Sequence, residues 1–363
     1  MNLKKYYFNK SINWEHYFNN NCELKYALEI MKKLNEAGYK SYIVGGAIRD
    51  IIMGNNPSDI DLTTNAYPSD IEKVFGRTIS VGKSREMGIS VVPYKGYNFE
   101  VSTFRTDLYT DLTKGNGANS VNLTRSLKKD ISRRDYKINQ LLADVNGNII
   151  DISGGLKDIK NKVISTVGDP NLRFKEDQIR SLRAVRFSSR LGFTISPETI
   201  EAMKQNAPEI TKVAPERITK ELMKMAEQSG PAFAEAIITM DKVGLLQYIL
   251  PEIFKMHELE HNKEFHPEGN VFQHTIEALK SQELKDPIIN LSVLMHDVGK
   301  INTQSVDDQG FIHYLRHAQE ADKLIDQIAD RLKFDNETRT KIQFAAINHM
   351  KIHEFLDMSN SKI

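Results

Sequence analysis

Residues 42–65 read YIVGGAIRDIIMGNNPSDIDLTTN, and this stretch decides how the first part of the chain folds. YIVGG is typical of a short buried strand that ends in glycines, AIRDIIMG of a helix that Gly54 stops, and DIDLTT of a second strand. NNPS between the helix and the second strand indicates a turn. The stretch therefore predicts a strand–helix–strand unit with a glycine pair ahead of two aspartates spaced D-x-D.

The two aspartates predict a metal site. Side chains alternate along a strand, so Asp59 and Asp61 should point the same way, with Ile60 in the core. Adjacent carboxylates repel each other unless cations lie between them, and oxygen ligands suit Mg²⁺, which also binds phosphate oxygens. Two such ions can activate a hydroxyl and stabilise a leaving oxygen at phosphorus. A lone D-x-D is more often a surface feature of a strand, but the preceding glycine pair favours nucleotidyl transfer.

The glycines and the arginine between the strands fit the same chemistry. Gly45 and Gly46 lie between a strand and a helix, where backbone N–H groups can approach a triphosphate. Arg49, one turn into the helix, can add a charged fork to the phosphates. A third carboxylate often completes such a site. Glu100 is a candidate for it, although an exposed strand glutamate is an equally good interpretation.

The composition limits the class of protein. With 363 residues the chain can form two or three domains, and 40% hydrophobic and 27% charged residues are ordinary for a globular protein. A net charge of +1 indicates that any nucleic-acid surface is a local patch. Cys22 is the only cysteine, which excludes a disulfide framework and a thiolate zinc cluster. Neither a signal peptide nor a run of about 20 apolar residues is present, so we expect a cytoplasmic protein with no membrane partner.

The order of the elements predicts an α+β protein. The segment 22–38 has helical spacing, and further strands are expected at 78–81, 89–94 and 97–104. After about residue 154 amphipathic helices take over, including 176–192 and 215–228. We expect an N-terminal helix with a small mixed β-sheet domain at 1–150, a helical region at 151–255, and a helical, histidine-rich region at 256–363.

Several motifs in one order resemble those of the class II tRNA nucleotidyltransferases, the CCA-adding enzymes, and of their bacterial poly(A) polymerase relatives. Besides VGGAIRD and DID, they are VSTFRTD (101–107), ISRRDYKIN (131–139), IIDISGGLKDIKNKVISTVGDP (149–170) and RFKEDQIRSLRAVRF (173–187). The family's RRDFTINA reads RRDYKINQ here, so Tyr136, Lys137 and Gln140 depart from the pattern.

The resemblance implies a head, neck, body and tail arrangement, with catalysis in the nucleotidyltransferase head and base selection in an all-α neck. It implies that the helical region 151–255, the neck and body, binds the nucleotide base and tRNA. It implies that Asp59 and Asp61 bind Mg²⁺. It also implies that Gly46, Arg49 and Arg134 contact the incoming nucleotide.

A pair of residues in the neck can read bases. EDQIRSLRAVRF is expected to be helical, with Asp177 and Arg180 three apart on one face. Asp177 only accepts hydrogen bonds and Arg180 only donates them. This pair matches cytosine and adenine, which show an amino donor beside a ring-nitrogen acceptor, and mismatches guanine and uracil. On its own the segment would be interpreted as a solvated helix with salt bridges.

Two more arginines continue the three-residue spacing. Arg183 can still reach the nucleotide, whereas Arg186 points away from Asp177 and can brace the neck instead. The family treats both as nucleotide-contacting. Residues 105–128 are expected to form a glycine-bearing mobile loop, and the resemblance implies that this loop helps the site switch from CTP to ATP.

The last third of the chain carries an HD dipeptide, His296–Asp297, with His274 upstream and His317 downstream. It resembles the HD metal-dependent phosphohydrolase domain that some bacterial CCA-adding enzymes carry. Imidazole and carboxylate together suit Mn²⁺, Ni²⁺ or Mg²⁺ and a metal-activated water. The late aspartate of such sites is missing from its usual context. The only acidic residues after His349 are Glu354 and Asp357, and Asp357 does not lie in that context. The sequence therefore predicts a shortened tail with a weakened or absent hydrolase site.

The sequence as a whole predicts template-independent addition of CCA to the 3′ end of tRNA from CTP and ATP. A poly(A) polymerase, or an enzyme that adds only CC or only A, is the alternative within the class. An HD phosphohydrolase with a non-catalytic head, or an RNA-binding scaffold, is the alternative outside it.

Overall fold

The computed structural model describes residues 7–18, 21–57, 59–79, 82–109, 117–118, 120–260 and 269–351, with the side chains of residues 7–10 excepted. The chain forms two compact units. The first contains the described residues up to Asp177, together with Thr194–Thr199. The second contains Gln178–Phe193 and the residues from Ile200 onward. The three-domain division at 150 and 255 stays a prediction.

The first unit mixes strands and helices, as the sequence predicts. Its elements are β1 (Tyr7–Ser11), α1 (Glu15–Phe18), α2 (Cys22–Glu36), β2 (Ser41–Val44), α3 (Gly46–Ile52), β3 (Asp61–Thr64), α4 (Pro68–Phe75), β4 (Ile89–Tyr94), β5 (Tyr97–Thr103), β6 (Arg105–Leu108), β7 (Ser120–Leu123), α5 (Leu127–Ser132), β8 (Leu142–Ala143), β9 (Asn148–Ile150), α6 (Gly155–Asn161), β10 (Val163–Ile164) and α7 (Pro170–Glu176).

A seven-stranded mixed sheet organises this unit, in the order β1-β9-β8-β2-β3-β5-β4. β3 and β5 run parallel, and the other neighbours in the sheet are antiparallel. β6 and β7 pair separately in the segment expected to be a mobile loop. Of the expected strand at 78–81 the structure describes one isolated bridge, between Ile79 and Val91, while residues 80 and 81 lie outside the described part.

Helix α2 provides much of the hydrophobic core behind the sheet. The side chain of Asn21 caps it by accepting a hydrogen bond from the Leu24 N–H. Its apolar positions recur at helical spacing and are almost completely buried, from Leu24 to Leu34. They pack with apolar residues of α3, β3 and β5, including Ile48, Leu62 and Val101.

The second unit is almost entirely helical. Its elements are α8 (Ile179–Leu191), α9 (Pro197–Asn206, beginning in the first unit), α10 (Pro215–Ala226), α11 (Gly230–Lys242), α12 (Leu246–Ile249), α13 (Pro251–Lys255), α14 (Val271–Ser281), α15 (Pro287–Met295), a hairpin of β12 (Gln304–Val306) and β13 (Ile312–Tyr314), α16 (His317–Leu332) and α17 (Asn336–Asn348). β11 (Thr194–Ile195) returns to the first unit, where it pairs with β10. No helix in the described ranges combines the length and apolar character that crossing a membrane requires.

Two polar links join helices of the second unit. The side chain of Asn290, fully buried on α15, donates to the carbonyls of Ala226 and Gln228 at 2.8 Å each. Glu252 on α13 forms a two-pronged ion pair with Arg331 on α16, with both N–O distances 2.7 Å. Such links fix helix positions because breaking them leaves buried groups without partners.

The prediction of one continuous helix over 176–192 is wrong in one respect, because the structure interrupts it at Asp177. α7 ends at Glu176, and Asp177 is extended, with φ −158° and ψ 105°. Arg173 holds the end of α7 in the first unit by donating to the carbonyl of Ser132 and to Glu176. α8 starts afresh at Ile179 in the second unit. Hydrophobic periodicity misses the break, since two short helices in succession can carry one periodic pattern.

Candidate functional site

The glycine turn and the aspartate pair meet at one end of the first sheet. β2 and β3 pair in register, with Val44 opposite Asp61. Val44 is the last residue before Gly45, and paired residues in antiparallel strands lie about 4.5–5.5 Å apart between Cα atoms. The side chain of Asp61 is therefore carried next to the start of α3, as the predicted nucleotide site requires.

Asp59 precedes the strand instead of belonging to it, which corrects the expectation that strand alternation aligns the two carboxylates. β3 begins at Asp61. Ile60 is 5% exposed, so it enters the core as predicted, while Asp59 and Asp61 both remain exposed to solvent. The anchored Ile60 therefore leaves both carboxylates on the accessible side of this segment.

The electrostatics of Asp61 show what lies around it. Although part of the residue is open to solvent, desolvation by the surrounding protein raises the pKa of its carboxyl. The Arg134 guanidinium opposes this increase, and the charge of Asp59 adds to it. Desolvation and then Asp61 likewise raise the pKa of Glu100. Burial and then Asp59 raise the pKa of Glu23, a residue that sequence reasoning missed. Four carboxylates thus repel one another here, and a cation would relieve that repulsion.

The glycine pair has two separate structural roles. Gly45 has φ +83°, a conformation that side-chain-bearing residues rarely adopt, and its N–H donates to the Leu141 carbonyl at 3.1 Å. The Gly45 amide therefore already has a partner within the protein. Gly46 begins α3, and a Cβ there would lie 3.4 Å from Nη2 of Arg49. Gly46 thus leaves room for the Arg49 guanidinium.

Arg49 is buried and held from two sides. Its Nε donates to Asp50 at 2.8 Å, and its Nη1 donates to Oδ1 of Asn139 at 2.7 Å. Asn139 belongs to the RRDYKIN motif, ninety positions further along the chain. The link joins two motifs that the sequence only shows in order. The contact of Arg49 with nucleotide stays a prediction.

The RRDYKIN segment places Arg134 near Asp61. Asp130 on α5 binds the guanidiniums of both Arg133 and Arg134. Gln140, where the family has alanine, is fully buried and donates from Nε2 to the carbonyl of Ile131, directly ahead of the two arginines. This departure from the family pattern therefore supports the backbone that carries them.

The four neck residues have different surroundings. Asp177 lies in the extended link after α7, whereas Arg180, Arg183 and Arg186 lie on α8. Arg186 is 7% exposed and its Nε donates to Glu221 on α10 at 2.6 Å, which agrees with a bracing role. Arg183 approaches the same carboxylate at 3.6 Å. The base contacts of these residues stay predictions.

Four histidines surround Asp297 in the second unit. Their Nε2 atoms lie 3.1–3.8 Å from the Asp297 carboxylate oxygens: His296 at 3.1 Å and His274 at 3.8 Å from Oδ2, and His317 at 3.5 Å and His349 at 3.7 Å from Oδ1. The structure thus brings together all four residues expected for the tail site. His349 is an addition that sequence reasoning did not assign to it.

The histidines are oriented as metal ligands are. Nδ1 of His296, His317 and His349 lies 2.7–2.8 Å from the carbonyls of Val293, Tyr314 and Ala346. A carbonyl only accepts, so each Nδ1 carries a proton, and Nε2 is the ring atom that each histidine turns toward Asp297. The Nε2 atoms of His317 and His349 are 3.2 Å apart. Two lone pairs at that distance repel unless a cation or a proton lies between them.

The buried charge of Asp297 is balanced by cations. Burial alone would disfavour the carboxylate, but His296 and then Lys300, whose Nζ lies 2.7 Å away, hold the pKa of Asp297 well below its usual range. Burial also opposes protonation of His296, yet Asp297 outweighs it and raises the pKa of that histidine. Burial lowers the pKa of His349, which favours the neutral form that binds a metal. This donor set fits a divalent transition metal.

Comparison with known proteins places both units in one family. Residues 41–165 match the family "Poly A polymerase head domain", and residues 192–256 match "Probable RNA and SrmB- binding site of polymerase A". The CCA-adding enzyme of Geobacillus stearothermophilus is 42% identical over 224 residues, which are 61% of this chain and 54% of that enzyme. The chain thus spans about half the length of this curated relative.

Two further matches extend over more of the chain. The CCA-adding enzyme of Lactobacillus johnsonii is 35% identical over 309 residues, covering 85% of this chain and 71% of that enzyme. The crystal structure of the Bacillus stearothermophilus CCA-adding enzyme in complex with CTP has a TM-score of 0.69 at 29% identity, covering 90% of this chain and 70% of the other. The chain accordingly belongs to the CCA-adding enzyme family, whose members are metal-dependent nucleotidyltransferases.

Proposed function

We propose that this protein adds CCA to the 3′ end of tRNA from CTP and ATP, releasing pyrophosphate, and that it does so in the cytoplasm. The proposal rests above all on one observation: Asp61 lies opposite the residue that leads into the Gly45–Gly46 turn. A triphosphate at this turn would have its phosphates beside the carboxylates of Asp59 and Asp61. The relative solved with CTP supports the nucleotide class.

Asp59 and Asp61 would hold Mg²⁺, since their oxygens and the repulsion between them suit a hard dication. When bound, the metal polarises the α-phosphate and lowers the pKa of the attacking hydroxyl. The charge of Arg134 lowers the pKa of the Asp61 carboxyl, which supports a role for Arg134 beside the phosphates. Gly46 and Arg49 would position the nucleotide from the start of α3.

Asp177 and Arg180 would select the base. A carboxylate that accepts and a guanidinium that donates match cytosine and adenine on their Watson–Crick edges. Asp177 would contribute from the extended link after α7, and Arg180 from the first turn of α8. A wrong base would leave polar groups unpaired, at a cost of about 1–3 kcal/mol each. Arg183 would add to this site, and Arg186 would support it through Glu221.

The first experiment is nucleotide omission. The protein is incubated with tRNA lacking CCA, Mg²⁺, and CTP alone, ATP alone or both. Addition of two C residues with CTP and of CCA with both supports the proposal. A-tailing of an unrelated RNA would instead indicate a poly(A) polymerase, and a product that stops at CC, or that gains A only on tRNA ending in CC, would indicate a partial enzyme.

Base selection has its own test. Asp177→Asn replaces an acceptor oxygen with a donor while keeping the shape, so CTP should lose about tenfold against UTP in kcat/KM. Arg190→Gln is the control, because Arg190 is an exposed residue near the end of α8, the helix that carries Arg180. Unchanged discrimination in Asp177→Asn would remove Asp177 from the base-reading site.

A second candidate function belongs to the second unit. Asp297 and the four histidines around it favour a metal-dependent phosphohydrolase, because imidazoles and a carboxylate can hold Mn²⁺ or Ni²⁺. When bound, such a metal can activate a water for attack at phosphorus. Lys300 would stabilise the buried carboxylate.

A 2′,3′-cyclic phosphate at an RNA end is the substrate to try, with each metal in turn. His296→Ala with Asp297→Ala should abolish phosphate release and leave nucleotide addition intact. Phosphate release that survives this double change would exclude the cluster as the hydrolase site. If the wild-type protein releases no phosphate from any RNA end, the cluster would be limited to metal binding.

A further inference from the structure

Asp130 is a buried carboxylate to which the proposed mechanism gives no role. It lies on α5 and is 0% exposed. A carboxylate withdrawn from water in this way persists only when its oxygens are paired. Its partners therefore show what it does for the molecule.

Each oxygen of Asp130 is held by a different arginine. Oδ1 accepts from Nε and Nη2 of Arg133 at 3.0 and 2.8 Å, and also from the backbone N–H of Arg105 at 3.2 Å. Oδ2 accepts from Nε and Nη2 of Arg134 at 3.3 and 2.9 Å. Two-pronged contacts of this kind fix the plane of a guanidinium as well as its distance.

The charges around Asp130 do not balance. Two guanidiniums share one carboxylate, and Nη1 of Arg133 lies a further 3.7 Å from Asp107. In the part of the chain that the structure describes, Arg134 has no acidic partner besides Asp130 within ion-pair distance. The surplus positive charge therefore belongs mainly to Arg134, the arginine whose charge reaches Asp61.

We propose that Asp130 is a positioning residue of the nucleotide site, which holds Arg134 in the orientation that meets the phosphates or ribose of the incoming nucleotide. An unrestrained arginine would lose side-chain entropy on binding, and Asp130 removes that loss in advance. Because Asp130 is bound by Nε and Nη2, it orients the guanidinium, and Nη1 takes no part in this contact. This inference rests on the proposed nucleotidyl transfer.

The test compares variants in the full-length protein with tRNA lacking CCA and Mg²⁺. Asp130→Asn keeps the shape and removes the charge, so the KM for CTP should rise about ten- to a hundredfold, with a smaller change in kcat. Arg134→Ala should show the same increase. The double variant should be no worse than Arg134→Ala, since Asp130 acts on the nucleotide only through Arg134.

A matched control separates positioning from general damage. Asp144→Asn removes a carboxylate charge from the same unit, in the turn between β8 and β9 where Asp144 bonds Asn146 and Asn148, so it should leave the KM for CTP unchanged. Should Asp130→Asn fold poorly, Asp130→Glu retains the charge one methylene further out and should also raise the KM. Thermal melts of all variants show which changes come from stability.

Three results are decisive. Effects of Asp130→Asn and Arg134→Ala that multiply in the double variant would overturn the inference. An unchanged KM in folded Asp130→Asn or Asp130→Glu would overturn it as well. A wild-type protein that adds no nucleotide to tRNA would overturn the proposed function instead. In that case the affinity for CTP, measured by calorimetry without tRNA in the single and double variants, would still decide whether Asp130 and Arg134 act together.

Discussion

Asp61 on β3 lies directly opposite Val44 on β2. The start of β3, which carries the carboxylate, and the glycine turn that follows β2 therefore meet at one end of the sheet. The antiparallel register produces this juxtaposition without any long-range side-chain contact. A short buried strand, a seven-residue helix and a tight return are sufficient to bring the two motifs together. The site is thus largely a property of local chain geometry, and the residues that refine it come from further away.

Asn139 is one such residue, and its removal should weaken nucleotide binding. Asn139→Ala deletes the acceptor for Nη1 of Arg49. The guanidinium keeps its contact with Asp50 but loses its second anchor, so the KM for CTP and ATP should rise about tenfold with little change in melting temperature. Asn146→Ala is a suitable control, because Asn146 lies in an exposed turn of the same unit. An unchanged KM would separate Arg49 from the nucleotide.

Asp130 also predicts how stability responds to acid. Burial disfavours its charge, but Arg134 and Arg133 outweigh this and lower its pKa in the folded protein. The carboxylate therefore contributes stability that is fully present above the unfolded pKa of about 3.9 and is lost as the pH falls through the lower folded value. Urea unfolding should show a stability gap between wild type and Asp130→Asn at pH 7 that narrows below about pH 4. A gap independent of pH would mean that another property of the carboxyl matters.

The pair Arg186–Glu221 should affect stability more than chemistry. Both side chains are buried, and Arg186→Gln would leave Glu221 without its 2.6 Å partner. Breaking a buried ion pair costs about 3–5 kcal/mol. The melting temperature should therefore fall markedly while the KM for CTP changes little. A double variant Arg186→Leu with Glu221→Leu should recover much of the loss, and a large KM effect without destabilisation would favour direct nucleotide contact.

Sequence reasoning reached the local parts of this structure and missed the distant ones. The strand–helix–strand unit, α2 and the two strands β4 and β5 follow from periodicity, glycines and turn residues within each segment. The break at Asp177 did not follow, because contacts of Arg173 with Ser132 and Glu176 end α7 where the periodic pattern continues. The roles of Asn139, Asp130 and His349 depend on partners far away in the chain, which a single sequence does not identify.

The histidine cluster should bind a metal that stabilises the second unit. Its ligands come from α14, the α15 end, α16 and the α17 end, so a bound ion would link four helices. Treatment with a chelator should lower the melting temperature, and Mn²⁺ or Ni²⁺ should restore it. His317→Gln with His349→Gln should abolish this response and the bound metal measured by mass spectrometry. His313→Gln is the control, since His313 is exposed and pairs with Asp307 in the hairpin. A metal content unaffected by the double change would place the ion elsewhere.

The incorporation of labelled CTP into tRNA lacking CCA by Asp59→Asn with Asp61→Asn tests the central claim most directly. Both carboxylates are exposed at one end of the sheet, so the variant should fold and still retain tRNA. We expect its rate to fall at least about a hundredfold at any Mg²⁺ concentration, because the metal ligands are gone. Incorporation near the wild-type rate in the folded double variant would contradict the account.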